Sequence, residues 1–243
     1  MDSALAEKEG FRYDRRWMLV DSNGRFLSQR EHNEMSLFSC SITDSSLEIE
    51  YDGDKISIPL DQETNTHHNV TVWDHTVNAA EVNPIFSDWF SDKLKQSCKL
   101  VRMTDSSERI KDFKKPPFKS KVSFADGYPY LLLGTASMDE LNNRMDKALN
   151  INRFRPNIVV DTSIAHEEDE WEDIQASGAH LRIVKPCARC VVTTINQETG
   201  VAGKEPLKTL AGYRRWDNQV FFGANAILLS PGVINKDDQI LLP

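Results

Sequence analysis

Apolar and polar positions alternate in short runs along the first third of the chain. Residues 16–21 (RWMLVD) run into Ser22-Asn23-Gly24, a turn signal, and residues 25–28 lead back. A second hairpin is predicted from residues 47–51, the Asp52-Gly53 turn and residues 55–60, where Ile56 and Ile58 keep period two. Residues 70–73 add a strand. Asn83-Pro84 then reads as a helix start, a side-chain cap followed by a proline whose missing N–H costs nothing at the first helical position. Ile85, Trp89 and Leu94, with Phe86 and Phe90 beside them, continue it at helical spacing, and residues 98–103 return to strand. A polar, basic stretch at 106–121 containing Pro116-Pro117 reads as a loop between two halves.

The second half opens on the apolar strand 128–133. Ser137-Met138-Asp139-Glu140 then forms a capping box ahead of a helix carrying Met138, Leu141, Met145 and Leu149. Residues 158–160, 181–184, 190–195 and 220–229 are further strands, the last broken by Gly223. No internal repeat or low-complexity segment is present. Short strands at close intervals predict barrels or sandwiches rather than a βαβ array, so the fold class is mostly β (α+β) with a few helices, in two sequential lobes, 1–105 and 106–243.

Composition narrows the function. The 243 residues carry 29 Lys+Arg against 37 Asp+Glu, a net charge of −8, with 40% hydrophobic residues. That length buries a core without staples. The acidic balance excludes a non-specific nucleic-acid binder, which needs clustered cations to neutralise phosphates. No apolar run reaches the roughly 18 residues of a membrane span. The opening MDSALAEKEG has neither an apolar h-region nor an Arg-rich amphipathic pattern, so no targeting segment is read and the chain is expected inside the cell, in cytoplasm or mitochondrion. Four cysteines are too few for a disulfide scaffold, and Cys40 and Cys98 are predicted as small core residues. Lys111, Lys114, Lys115, Lys119 and Lys121 form a solvated basic stretch that an acidic partner would fit.

The candidate chemistry lies in two clusters. Lys185-Pro186-Cys187-Ala188-Arg189-Cys190 holds a CxxC with an arginine between the thiols. A structural zinc site would need two more ligands, yet there is no second CxxC and no HxxxH; His67, His68 and His75 are expected in a polar loop and read as surface residues. Thioredoxin-like redox would want a helix after the motif, whereas residues 191–195 are β-branched and read as strand. One cysteine is therefore a candidate thiolate ligand to a cofactor-borne metal. Arg153-Phe154-Arg155-Pro156-Asn157, just before an apolar strand, suits a phosphate, which guanidinium binds bidentately.

The ordered series Tyr13-Asp14-Arg15-Arg16-Trp17, Ser28-Gln29-Arg30, Phe124-Ala125-Asp126, Thr135-Ala136-Ser137, 153–157, Glu168-Asp169-Glu170-Trp171, Cys187-Ala188-Arg189-Cys190 and Phe222-Gly223-Ala224-Asn225 resembles the MOSC proteins, in particular the branch of amidoxime-reducing components and bacterial reductases of N-hydroxylated bases. The resemblance implies an N-terminal MOSC-type β-barrel module followed by a MOSC β-barrel. It also implies a molybdenum–pyranopterin (molybdopterin) cofactor with Cys190 as catalytic thiolate and metal ligand. Arg15, Arg155, Asn157 and Arg189 would anchor the pterin and its phosphate, with Thr135, Ser137 and Asn225 beside them. The implied activity is reduction of N-hydroxylated compounds (amidoximes, hydroxylamines, N-hydroxylated bases), with electrons from a cytochrome b-type haem protein and its reductase. The alternatives are a sulfur-carrier or cofactor-binding module of the molybdenum cofactor sulfurase type and a truncated non-catalytic form. The last arises because the family's usual opening strand, with a Lys-Ser pair, is expected upstream of Asp14 and is not found, so the first barrel is expected to lack its first strand.

Overall fold

The structure, a computed structural model, describes residues 2–114 and 117–242, without the side chains of residues 114, 117 and 118. It is mostly β, as the alternation predicts, and divides by packing into two units. One comprises residues 15–109 and 195–203, the other residues 1–14, 110–194 and 204–243.

The unit built on residues 15–109 has a four-stranded antiparallel sheet in the order Trp17–Val20, Lys99–Arg102, His75–Glu81, His67–Val72. A three-stranded sheet runs Ser39–Ile42, Ser46–Tyr51, Asp54–Pro59, and its last two strands are closed by Asp52 and Gly53, both at positive φ. The return at residues 25–28 is there, but as isolated bridges, Val20 with Phe26 and Arg25 with Thr71, rather than a strand. Helix α1 (Pro84–Leu94) starts as predicted, the Asn83 side chain accepting from the Ile85 N–H. Its inward face differs from the predicted one. Ser87, Phe90 and Leu94 are buried while Ile85 is 65% exposed. Ser87 faces inward because its hydroxyl accepts the Leu100 N–H, a hydrogen bond that hydrophobic periodicity does not register.

Three further expectations are corrected here. Cys98 is buried, but Cys40 lies exposed on the edge strand Ser39–Ile42. His67, His68 and His75 are on paired strands rather than in a loop, against Asn78, Glu81 and Asp74 respectively. The stretch at 106–121 is not simply a loop, since Ile110–Lys114 and Pro117–Lys121 form an antiparallel hairpin with Phe113 buried. Lys115 and Pro116 lie outside the described residues. Lys111 donates to the Asp126 carbonyl, and Lys119 and Lys121 lie near Asp112 and Glu9.

The second unit is organised around a sheet in the order Ile158–Val160, Tyr130–Gly134, Gln219–Ser230, Ala179–Ala188, Asp173–Ala176, with Arg215–Trp216 hairpinned onto Gln219–Ser230. Only the Tyr130–Gly134 and Ile158–Val160 pair is parallel, and helix α2 (Thr135–Asn143) lies in the crossover between them. Ser3–Glu7 pairs on one side with Gly232–Asn235 and on the other with Gly10–Phe11. Apolar clusters hold this unit. Tyr130, Leu132, Ile174, Leu181 and Ala226 form one, and Leu133, Met138, Leu141, Phe154, Leu210 and Phe222 another. Helix α2 begins at Thr135 and has no side-chain cap, so the predicted capping box is not formed. The helix also ends earlier than its apolar spacing suggests. Asn142 exchanges two hydrogen bonds with the backbone of Leu149, folding the chain back so that Met145 and Leu149 reach the same cluster from a loop. No helix among the described residues is long and apolar enough to cross a membrane.

Candidate functional site

Everything at the CxxC segment starts from an irregularity in strand pairing. Along Ala179–Ala188 and Gln219–Ser230, Pro186 faces Ala224 and Ala188 faces Phe221, so Cys187 alone opposes Phe222 and Gly223. This is a β-bulge, which bends a strand and re-aims its side chains. Gly223 makes it possible: its φ is +71°, and a Cβ there would lie 2.5 Å from the Leu132 carbonyl oxygen. The strand passes through Gly223 unbroken, against the predicted break. Asn225, nearly buried beside the bulge, donates to the Pro186 carbonyl at 3.5 Å.

Beyond the bulge the chain does not continue as strand. Residues Val191–Thr194 form a 3-10 turn, correcting the predicted strand at 190–195. The hydroxyls of Thr193 and Thr194 donate back to the carbonyls of Cys190 and Val191, at 2.9 and 2.7 Å, and this local bonding outweighs β-branched propensity. Neither Cys187 nor Cys190 is in a disulfide, and both are half-buried.

Arg189 joins the two motif clusters. Its backbone N–H donates to Val220, its Nη2 donates to the Phe154 carbonyl at 2.6 Å, and its Nη1 donates to Cys187 Sγ at 3.1 Å. The guanidinium carbon also sits 5.3 Å from the centre of the Phe154 ring. Its Nε is buried with no hydrogen-bond partner. On the other side, residues Ile151–Phe154 form a 3-10 turn capped by Asn150, and Phe154 is anchored in the core against Phe222, 4.5 Å between ring centres. The next residue, Arg155, is exposed and left-handed, φ 54°. Asn157 is half-buried and bonded at both ends of its amide. Its Oδ1 accepts the Leu131 N–H and its Nδ2 donates to Asp14 Oδ2, both at 2.9 Å, which brings residues 143 positions apart into contact.

Thr135 and Ser137 have different surroundings. The Thr135 hydroxyl donates to Asp161 and accepts the Thr162 N–H. Ser137 is completely buried, lies 2.8 Å from both carboxylate oxygens of Glu168, and accepts the His166 N–H. Glu168, also completely buried, accepts the Gly134 N–H as well. Next to it Asp169 forms a largely shielded ion pair with Arg214, whose guanidinium also covers Trp216. Burial pushes the Asp169 carboxyl up, opposed by the Arg214 charge, and burial followed by the Arg214 charge holds His166 down. Burial raises the Tyr213 phenol to about 12. Arg15 belongs to the unit of residues 15–109 and is left-handed, φ 53°.

The sequence therefore marks Arg189, Arg155, Asn157, Cys190 and Asn225 around one bulged strand pair. It does not mark the Phe154 carbonyl as the acceptor that holds Arg189, nor Phe222 as the ring Phe154 packs on; only the unusual adjacency of Phe154 to two arginines hints at the first. No group of three or more His, Cys, Asp or Glu side chains suited to a metal ion occurs among the described residues.

Comparison with known proteins agrees with the series of motifs. The family model described as MOSC domain matches residues 119–241, and that described as MOSC N-terminal beta barrel domain matches residues 1–97. The chain belongs to the MOSC family. Among its relatives, "Mitochondrial amidoxime-reducing component 1" of Homo sapiens is 28% identical over 257 residues, covering 99% of this chain and 76% of that protein. The Xenopus laevis protein of the same name is 30% identical over 256 residues, covering 98% and 74%. "Molybdenum cofactor sulfurase" of Arabidopsis thaliana is 30% identical over 246 residues, covering 89% of this chain and 29% of that protein. The MOSC match takes in the bulge, the CxxC and the 153–157 cluster.

Proposed function

We propose that this MOSC chain is a molybdenum-cofactor-dependent reductase of N-hydroxylated compounds. The observation that carries the reading is the Arg189 bridge, in which one guanidinium ties the 153–157 turn to the CxxC segment and keeps a buried Nε–H without a partner. A buried donor without an acceptor costs about 1–3 kcal/mol, a cost that an anionic ligand at this place would remove. The donor set fits a molybdenum–pyranopterin. Cys190 offers a soft thiolate for a soft redox metal, and Arg189 and the exposed Arg155 match a phosphate dianion. Asn157 sets the turn that presents Arg155, Asn225 sets the strand beside the bulge, and Arg15 is proposed as a further anchor. Thr135 and Ser137 are assigned an indirect part, Ser137 through its bonds to Glu168.

When bound, the cofactor supplies two electrons at a centre that removes the hydroxyl oxygen from nitrogen. For an amidoxime the balance is R–C(NH2)=N–OH plus two electrons and two protons, giving the amidine and water. The chain positions the cofactor and substrate; the redox chemistry belongs to the cofactor. Electrons are proposed to come from a separate haem protein of the cytochrome b type with its reductase.

The relationship to the sulfurase gives a second reading, a cofactor-binding or sulfur-handling module without reductase activity. One experiment separates the two. The protein is expressed in a host that makes the cofactor, assayed for molybdenum and pterin, and tested for benzamidoxime reduction with an artificial electron donor. Reductase function requires both cofactor and amidine formation, and Cys190→Ala is expected to abolish both. Cofactor without amidine formation favours the sulfurase-type reading. Occupancy below about one-tenth, or activity surviving in Cys190→Ala, overturns the proposal.

A further inference from the structure

Cys187 is the one member of the CxxC without a role in that reading, and its surroundings supply one. It stands alone opposite the two-residue bulge at Phe222 and Gly223, half-buried, two positions before Arg189. Its sulfur accepts from Arg189 Nη1 at 3.1 Å, while the other end of the same guanidinium donates to the Phe154 carbonyl at 2.6 Å. The plane of an arginine held at both Nη atoms is fixed, and so is the direction of its Nε–H, which is the donor left without a partner. A free arginine side chain carries rotamer entropy that an anion must otherwise overcome on binding.

We infer that Cys187 is a positioning residue: its sulfur is the acceptor that sets the Arg189 guanidinium for an anionic ligand. The inference rests on the reading of Arg189 as a cofactor anchor, and it gives the two cysteines different tasks, Cys190 toward the metal and Cys187 toward an arginine. The bulge explains why the two motifs act together. Without the extra residue at Phe222-Gly223, Cys187 would stay in the regular ladder with its side chain aimed elsewhere.

The test has two readouts. In cofactor-free protein, NMR of the arginine Nε–H and guanidinium groups reports whether Arg189 is held. Cys187→Ala is expected to speed rotation of that guanidinium and Cys187→Ser, which restores an acceptor, to slow it again; an unchanged Arg189 signal in Cys187→Ala overturns the inference. In protein expressed with limiting cofactor, molybdenum and pterin occupancy is expected to fall about fivefold in Cys187→Ala, the loss of one ordinary hydrogen bond. It should recover to at least half in Cys187→Ser, and Cys187→Ala should add nothing to Arg189→Ala. A further fall in the double variant means that Cys187 acts by another route and refutes the assignment. Full occupancy in Arg189→Ala instead defeats the anchor reading of the proposed function, whatever the NMR shows for Cys187.

Discussion

Ser137 shows how one side chain divides two explanations. The resemblance to MOSC proteins gives its hydroxyl a place beside the cofactor, while the structure surrounds it completely and points it at both oxygens of the buried Glu168. Ser137→Ala would leave that carboxylate without its hydroxyl donor, while the Gly134 N–H would still donate to it. A loss of about 1–3 kcal/mol in the unfolding free energy of cofactor-free protein is expected in urea. Unchanged stability with lowered cofactor content would show direct contact instead. At this scale the sequence is informative about which residues matter and poor about what they do. Arg189, Asn157 and Asp14 stand out by motif, but their partners are a backbone carbonyl, a backbone amide and a residue 143 positions away. Such contacts depend on register, which no local pattern encodes.

Among the elements, a strand with alternation such as Asp54–Pro59 was readable because one face is buried and a one-residue slip would expose it. Elements set by polar bonds were not. The 3-10 turn Val191–Thr194 follows threonine hydroxyls, α2 stops where Asn142 captures Leu149, and the inner face of α1 follows Ser87. Two variants test this division. Asn83→Ala removes the side-chain cap of α1 and should cost about 1 kcal/mol in equilibrium unfolding, with Asn83→Ser largely restoring it. Gly223→Ala combines a left-handed φ with a close approach to the Leu132 carbonyl, so about 1–3 kcal/mol is expected. Because the bulge aims Cys187, Gly223→Ala should also disturb the Arg189 guanidinium signal in cofactor-free protein. An Asn83→Ala protein, whose lesion is in the other unit, should keep that signal.

For the molecule as a whole, the net charge of −8 says little about stability, because the groups that decide its pH dependence are a few buried ones. His166 is the clearest. Glu140 stands 2.8 Å from its Nε2, the rings of Tyr213 and Phe222 lie 5.9 Å away, and Glu168, Asp169 and Arg214 act on it electrostatically. Burial, reinforced by the Arg214 charge, disfavours its protonated form in the folded state, and the three carboxylates only partly offset this. The unfolded chain takes up that proton near the usual histidine pKa of about 6.5. A depressed folded pKa therefore contributes stability that is complete above about pH 6.5 and is lost as the pH falls below it, levelling off once the folded state is also protonated. The carboxylates held low by their partners, Glu140 by Arg144 and Asp173 by Arg182, add a second loss only below the carboxylate range of about 4. The melting temperature of cofactor-free protein should thus be flat from pH 8 to 6.5 and decline toward pH 5, before the steeper acid limb. His166→Asn, which keeps a side chain tolerant of the left-handed backbone at φ 66°, should flatten the first decline and leave the second. An unchanged decline between pH 6.5 and 5 in that variant would assign it to a different group.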